Sequence, residues 1–147
     1  MAGAPAHINT RLTTGPDVGF TDRVTAVIGA VSATTTYIWP VGGGDWFVES
    51  LEIVVDTAHL ADASNIWTFD IKEYKAGVIG DSLFSSAQST VTGGKPGALA
   101  AFVPQTLSCD QNQTVTSGNS LALILTRGAS GVALSGLSVA VVFRRQL

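Results

Sequence analysis

Few side chains in this sequence could do chemistry, and those that could stand far apart. Nucleophilic catalysis needs a serine or cysteine with a base in reach and a third group to orient that base. The two histidines are His7, near the start, and His59, in a loop-like stretch. Neither has a partner at a recognisable spacing, and the nucleophile elbow G-x-S-x-G is absent. Cys109, the one cysteine, is flanked by Ser108, Asp110 and Gln111. No cation is there to lower its pKa, so it reads as a small residue in or near a strand, and no intrachain disulfide can form. A zinc site wants several Cys or His ligands close together, and a calcium loop wants a run of alternating acids. Asp56 and Asp62 flank one loop and Asp45 begins a strand, but no such run occurs.

Carboxylate pairs fare no better. Glu49 and Glu52 are three apart, so on a strand they point to opposite faces. Glu52 and Asp70 fall on the outward faces of what read as neighbouring strands, where the plain reading is a solvated surface. Gly93-Gly94-Lys95-Pro96 lacks the spacing of a phosphate-cradling loop and leads into no helix. The three tryptophans could form a sugar-stacking platform. Trp67 alternates with an inward set, however, and Trp39 is as well explained by packing. Trp46, which follows a triple glycine, is the one expected to be partly exposed. Asn112-Gln113-Thr114 fits the glycosylation sequon, a chance match without a secretion signal. The expectation is no enzyme, no cofactor and no metal.

Any of these groups would have to be positioned by short strands. Windows with helical apolar spacing are missing. β-Branched and aromatic runs alternate instead with Gly, Pro, Asn, Asp and Ser clusters. Candidate strands are Arg23–Ile28, Thr34–Trp39, Trp46–Asp56, Ile66–Glu73, Leu83–Val91, Leu99–Leu107, Gln113–Thr116, Leu121–Thr126 and Leu137–Phe143. Phe47, Leu51, Ile53 and Val55 share one face, as do Trp67, Phe69 and Ile71. Strands of this length and spacing indicate an all-β sandwich or barrel, and an antiparallel β-sandwich over 22–147 is the expected fold. Residues 1–21 hold Pro5 and Pro16 and no apolar period, and read as an extended N-terminal arm.

Charged residues are 13% of the 147 and hydrophobic ones 46%, against roughly 25% charged in ordinary domains. The longest apolar stretch, Val132 to Phe143, is too short for a membrane helix, which needs about 20 residues. The net charge of -3 and eight scattered Lys and Arg residues give no basic stripe for nucleic acid. The first residues lack the basic start and apolar core of a signal peptide, so the chain is expected to be soluble and to fold where it is made. The last two strands are apolar on both faces. If Leu121, Leu123, Leu125, Val139, Val141 and Phe143 face inward, Ala122, Ile124, Ala140 and Val142 face out. An apolar outer face needs a cover. The candidate interface residues are His7 in the arm, Trp46 beside the glycines, and Ile124 and Val142.

The run Asp45-Trp46-Phe47-Val48-Glu49-Ser50-Leu51-Glu52-Ile53, followed by Trp67-Thr68-Phe69-Asp70-Ile71, resembles strand pairs of small phage virion proteins. So does the ending, Val115 to Leu123 with Leu137 to Arg145. Over about Thr34 to Arg145 the chain resembles the jelly-roll decoration, or cement, proteins of tailed-phage capsids. It lacks the Ala-Pro-Gly motif of the short decoration proteins. The resemblance implies a jelly-roll-like sandwich, a homotrimer, and a major capsid protein as partner. It implies a place on the outer capsid surface between capsomers, after synthesis in the host cytoplasm. The other reading is a receptor- or carbohydrate-binding jelly roll of a tail or fibre, using a groove near Trp46 and Asn112.

Overall fold

A computed structural model describes residues 6–11, 21–40 and 45–145. Its strands are β1 (Ala6–Arg11), β2 (Thr21–Val31), β3 (Thr35–Pro40), β4 (Trp46–Val54), β5 (Trp67–Lys75) and β6 (Val78–Ser82), then β7 (Gln88–Ser89), β8 (Gln105–Ser108), β9 (Thr114–Val115), β10 (Ser120–Arg127) and β11 (Leu134–Arg145). One sheet runs β1-β2-β11-β4-β8, with β9 also on β4. The other runs β3-β10-β5-β6, with β7 also on β5. All strand pairings are antiparallel. The pairing is nested: β2 with β11, β3 with β10, β4 with β8 and β9, β5 with β6 and β7. That is jelly-roll winding, the chain folded on itself as one long hairpin and then rolled.

The core lies between the sheets. Leu51, Ile53, Trp67, Phe69, Ile71, Leu121, Leu123, Leu125, Val141 and Phe143 are buried there, as the alternation requires. Phe47 departs from its expected inward row. Val142 pairs with Ser50 but Phe143 pairs with Val48, which leaves Glu49 as an extra residue in β4. Such a bulge switches the alternation. Val48 becomes fully buried while Phe47 turns out, where the Arg144 guanidinium lies 5.0 Å from its ring.

Two edge strands are interrupted. Past β6, Leu83 N–H donates to Ile71 O at 2.8 Å, carrying the edge on toward β7. Past β8, Cys109 N–H donates to Glu49 O and Val48 N–H to Gln113 O, carrying the other edge to β9. Between them Asp110 and Gln111 N–H both donate to Leu83 O, so this loop stitches one side of the sandwich shut. The stretch read as an arm contributes a strand. Ala6 to Arg11 pairs with Ala26 to Thr21, adding β1 to the sheet edge. Backbone pairing orders these residues, which apolar patterning therefore does not announce. Residues 1–5 and 12–20 of that stretch lie outside the described residues.

The nested winding gathers the connections at two ends. Ser32–Thr34, Val55–Ile66, Thr90–Pro104 and Gly128–Ala133 meet at one, the loop end. The β5–β6 hairpin at Ala76-Gly77 and the turn Thr116–Asn119 lie at the other, the turn end.

Candidate functional site

The outer sheet faces are covered in part from within, although Val27 on β2 is 70% exposed and Ile38 on β3 47%. Ala140 is 6% exposed although it points away from the core. It pairs with Thr25 and Glu52, and its neighbour Val142 with Arg23. Arg23 on β2 reaches across β11 to Glu52 on β4, with guanidinium-to-carboxylate contacts of 2.5 and 3.0 Å. The two flanking strands are roughly 9–10 Å apart, so this bidentate pair lies over β11 and closes above its alanine. Ala122 is 0% exposed in the other sheet, between Ile38 and Lys72. Ala122 and Ala140, two of the four apolar outer positions of β10 and β11, are thus small residues that neighbouring side chains roof over.

The four interface candidates occupy separate places. Ile124 and Val142 are half-buried on the outer faces of different sheets. Trp46 packs edge-on against Phe143, ring centroids 6.1 Å apart. Its Nε1 has no hydrogen-bond partner among the described residues. His7 stands opposite Thr25 in register, and its side chain lies outside the described residues. Glu52 and Asp70 are on strands of different sheets, which corrects their reading as neighbours. Burial, with Asp110 and then Asp70 nearby, pushes the Cys109 thiol up to about 12, so it stays protonated and inert. Among the described residues no three His, Cys, Asp or Glu side chains are grouped to hold a metal.

The loop end stands out. Leu60 is 77% exposed, Phe102 75%, Val132 61% and Val103 47%. Their loops are tied together underneath. His59 and Leu99 exchange backbone hydrogen bonds of 2.8 Å, and Phe102 N–H donates to Val55 O. The buried His59 ring sets Nε2 3.2 Å from Asn65 O, a carbonyl that can only accept, so Nε2 is the donor. Asp62 Oδ1 accepts from Ser64 N–H at 2.6 Å, Ser64 Oγ at 2.9 Å and Asn65 N–H at 3.0 Å. These bonds, Asn65 first and then Ser64, hold its carboxyl down at about 2. Asn65 Oδ1 in turn accepts from Val132 N–H, and Trp67 Nε1 donates to Val132 O at 2.7 Å. Arg127 Nε donates to Gly131 O and its Nη1 to Ser32 O, both at 2.5 Å.

A cavity of about 300 Å³ opens here, with Ala58, Leu60, Val132, Ala133 and Leu134 among its lining. In the Thr90–Pro104 connection at the same end, Phe102 has φ +57°, a left-handed conformation rare for a bulky side chain. Sequence reading missed this surface. Its apolar residues are isolated among Ala, Gly and Ser, and Phe102 sits inside a run that scores as a strand. A second groove, of about 430 Å³ toward the turn end, is lined by Glu73, Asp81, Asn112 and Gln113. It offers amides and carboxylates but no aromatic ring, and Trp46 is not in it.

No family model and no curated protein matches the chain. Among solved structures it is similar to the "Structure of infectious bursal disease virus Gx strain", at 13% identity and a TM-score of 0.30. The match covers 90% of this chain and 40% of that one. At that TM-score the likeness carries no argument, and the fold rests on strand order.

Proposed function

We propose that this chain is a structural virion protein, a capsid decoration protein that self-associates as a homotrimer and seats on the outer surface between capsomers. Its partners in this reading are copies of itself and the major capsid protein, with no direct contact to nucleic acid or membrane. It works by buried area rather than by bond chemistry. The observation that carries the reading is the loop end, where four large apolar side chains face outward on a rigidly tied base. Specific interfaces bury about 800 Å² per partner without needing any chemical motif. The resemblance of Asp45–Ile53 and Val115–Leu123 to phage decoration proteins supports the same reading. The carbohydrate-binding alternative gains no support from the amide groove, which lacks a ring to stack a sugar.

Two measurements test it together. Light scattering behind size-exclusion chromatography is expected to give a multiple of the protomer mass, and the chain is expected to pellet with undecorated capsids. A monomer that stays in the supernatant, or a specific glycan-array signal without capsid binding, overturns the proposal.

A further inference from the structure

The loop end carries both a projection and a recess. The projection is Phe102, its ring largely in solvent although its backbone is held in a conformation that disfavours a side chain. Within the chain the strain gains nothing visible, since Phe102 N–H to Val55 O at 2.8 Å would form as well with glycine. Strain kept at an exposed aromatic points to a use outside the protomer. The recess is the cavity of about 300 Å³ where Leu60, Val132 and Leu134 line the wall alongside His59, Asp62 and Asn65.

Charge argues for what fills it. The four loops and Arg127 carry two acids, Asp56 and Asp62, and two bases, Lys95 and Arg127. Asp62 is committed to Ser64 and Asn65, Arg127 to Gly131 and Ser32, and Asp56 accepts from Thr57 Oγ1. Lys95 lines a separate polar groove with Asp110. A charged partner would find little to pair with, whereas an identical surface of zero net charge brings no like-charge repulsion. We propose that a second copy of this chain docks here, the Phe102 ring of one copy seating in the Leu60–Val132 cavity of its neighbour. Such a ring-into-cavity contact is heterologous, and where its rotation closes it makes a ring, of which the trimer expected above is one. The inference rests on the assembly reading and names its self-contact.

The test uses two variants of the full chain, Phe102→Gly without the ring and Ala133→Trp with the recess filled. Each is checked for wild-type folding by circular dichroism, then weighed by light scattering. Wild type is expected to associate, and each variant alone to lose at least about tenfold in association. Mixed, the intact ring of one fits the intact cavity of the other, so a one-to-one species should appear that neither forms alone. If Ala133→Trp misfolds, Leu60→Gln at the exposed lip replaces it. Variants that associate like wild type overturn the inference, as does a monomeric wild type. Capsid pelleting of the same samples separates the two readings: binding that survives while the self-contact fails leaves the decoration reading standing.

Discussion

At the loop end, Asp62, Asn65 and Arg127 turn their polar atoms inward onto backbone groups of neighbouring connections. At the turn end, Asp45 Oδ1 accepts from Ser117 N–H at 2.8 Å, and Glu73 Oε1 accepts from Thr116 N–H at 3.0 Å and Asn119 Nδ2 at 2.6 Å. Both ends therefore use carboxylates to satisfy turn donors that no strand can reach. The outcome differs because the connections differ in length. A four-residue turn is satisfied by two acids and leaves little else to expose. The connections Val55–Ile66, Thr90–Pro104 and Gly128–Ala133 are tied to one another through Asp62, Asn65 and backbone groups. Their outward positions include Leu60, Phe102, Val103 and Val132. Val78 and Ile79 are exposed beside the turn end too, where they stand between Lys75 and Asp81. Length of connection, more than composition of strands, decides which end of this sandwich is sticky.

The strongest way to break the contrast is at the root of the loop end. Gly136 has φ +57°, and a Cβ there would fall 2.1 Å from Asp56 Cγ. Gly136→Ala is expected to cost about 3 kcal/mol, by combining a left-handed alanine with a clash where β11 leaves the loops. Denaturant unfolding reads it; a midpoint within error of wild type would mean that Asp56 swings away freely. Next comes Trp67→Phe, which removes the one side-chain bond from the core to Val132. A loss of about 2 kcal/mol is expected, part from volume and part from leaving Val132 O unpaired. Self-association should weaken with it, because Val132 forms one lip of the cavity. Full stability with lost association, or the reverse, would show the two ends to be less firmly built than the bonding suggests.

The strands that position all this were legible where alternation is strict. Trp67-Phe69-Ile71 and Leu121-Leu123-Leu125 declare both strand and face, because a period of two leaves one solution. Glu49 shows the limit. A bulge inserts one residue without changing composition, so Val48 replaces Phe47 in the core and no pattern reveals it. The edges were harder still, since β6 to β9 are two strands broken by a stitching loop, with too few consecutive residues to alternate. Small residues at 122 and 140 leave those outer positions buried, while Val27 and Ile38 stay exposed beside them. The apolar loop end rests on bonding among Asp62, Asn65 and Val132, which are far apart in sequence.

Phe102→Gly sharpens the contrast from the other side. Relief of the left-handed phenylalanine is expected to raise protomer stability by about 1 kcal/mol, since an exposed ring contributes little burial to lose. Thermal unfolding at protein concentrations low enough to keep the chain monomeric is the measurement. A purely structural Phe102 would give the opposite sign.

The smallest expected effect is acid sensitivity at the loop end. Asp62 sits near 2 in the folded chain against about 3.9 unfolded. A depressed folded pKa means that the unfolded chain takes up the proton first as pH falls. The carboxylate's contribution is therefore whole above about pH 4 and drains away as pH falls toward 2. Asp110, lowered by the Ser85 hydroxyl and N–H, drains over acid pH as well, so wild type alone cannot assign the loss. Asp62→Asn keeps an acceptor for Ser64 and Asn65 but does not titrate. Subtracting its stability profile from that of wild type should leave a step confined to acid pH and a flat line from pH 5 to 8. A difference that sloped through pH 6 would overturn the assignment of the step to Asp62, the carboxylate that ties this turn to Ser64 and Asn65.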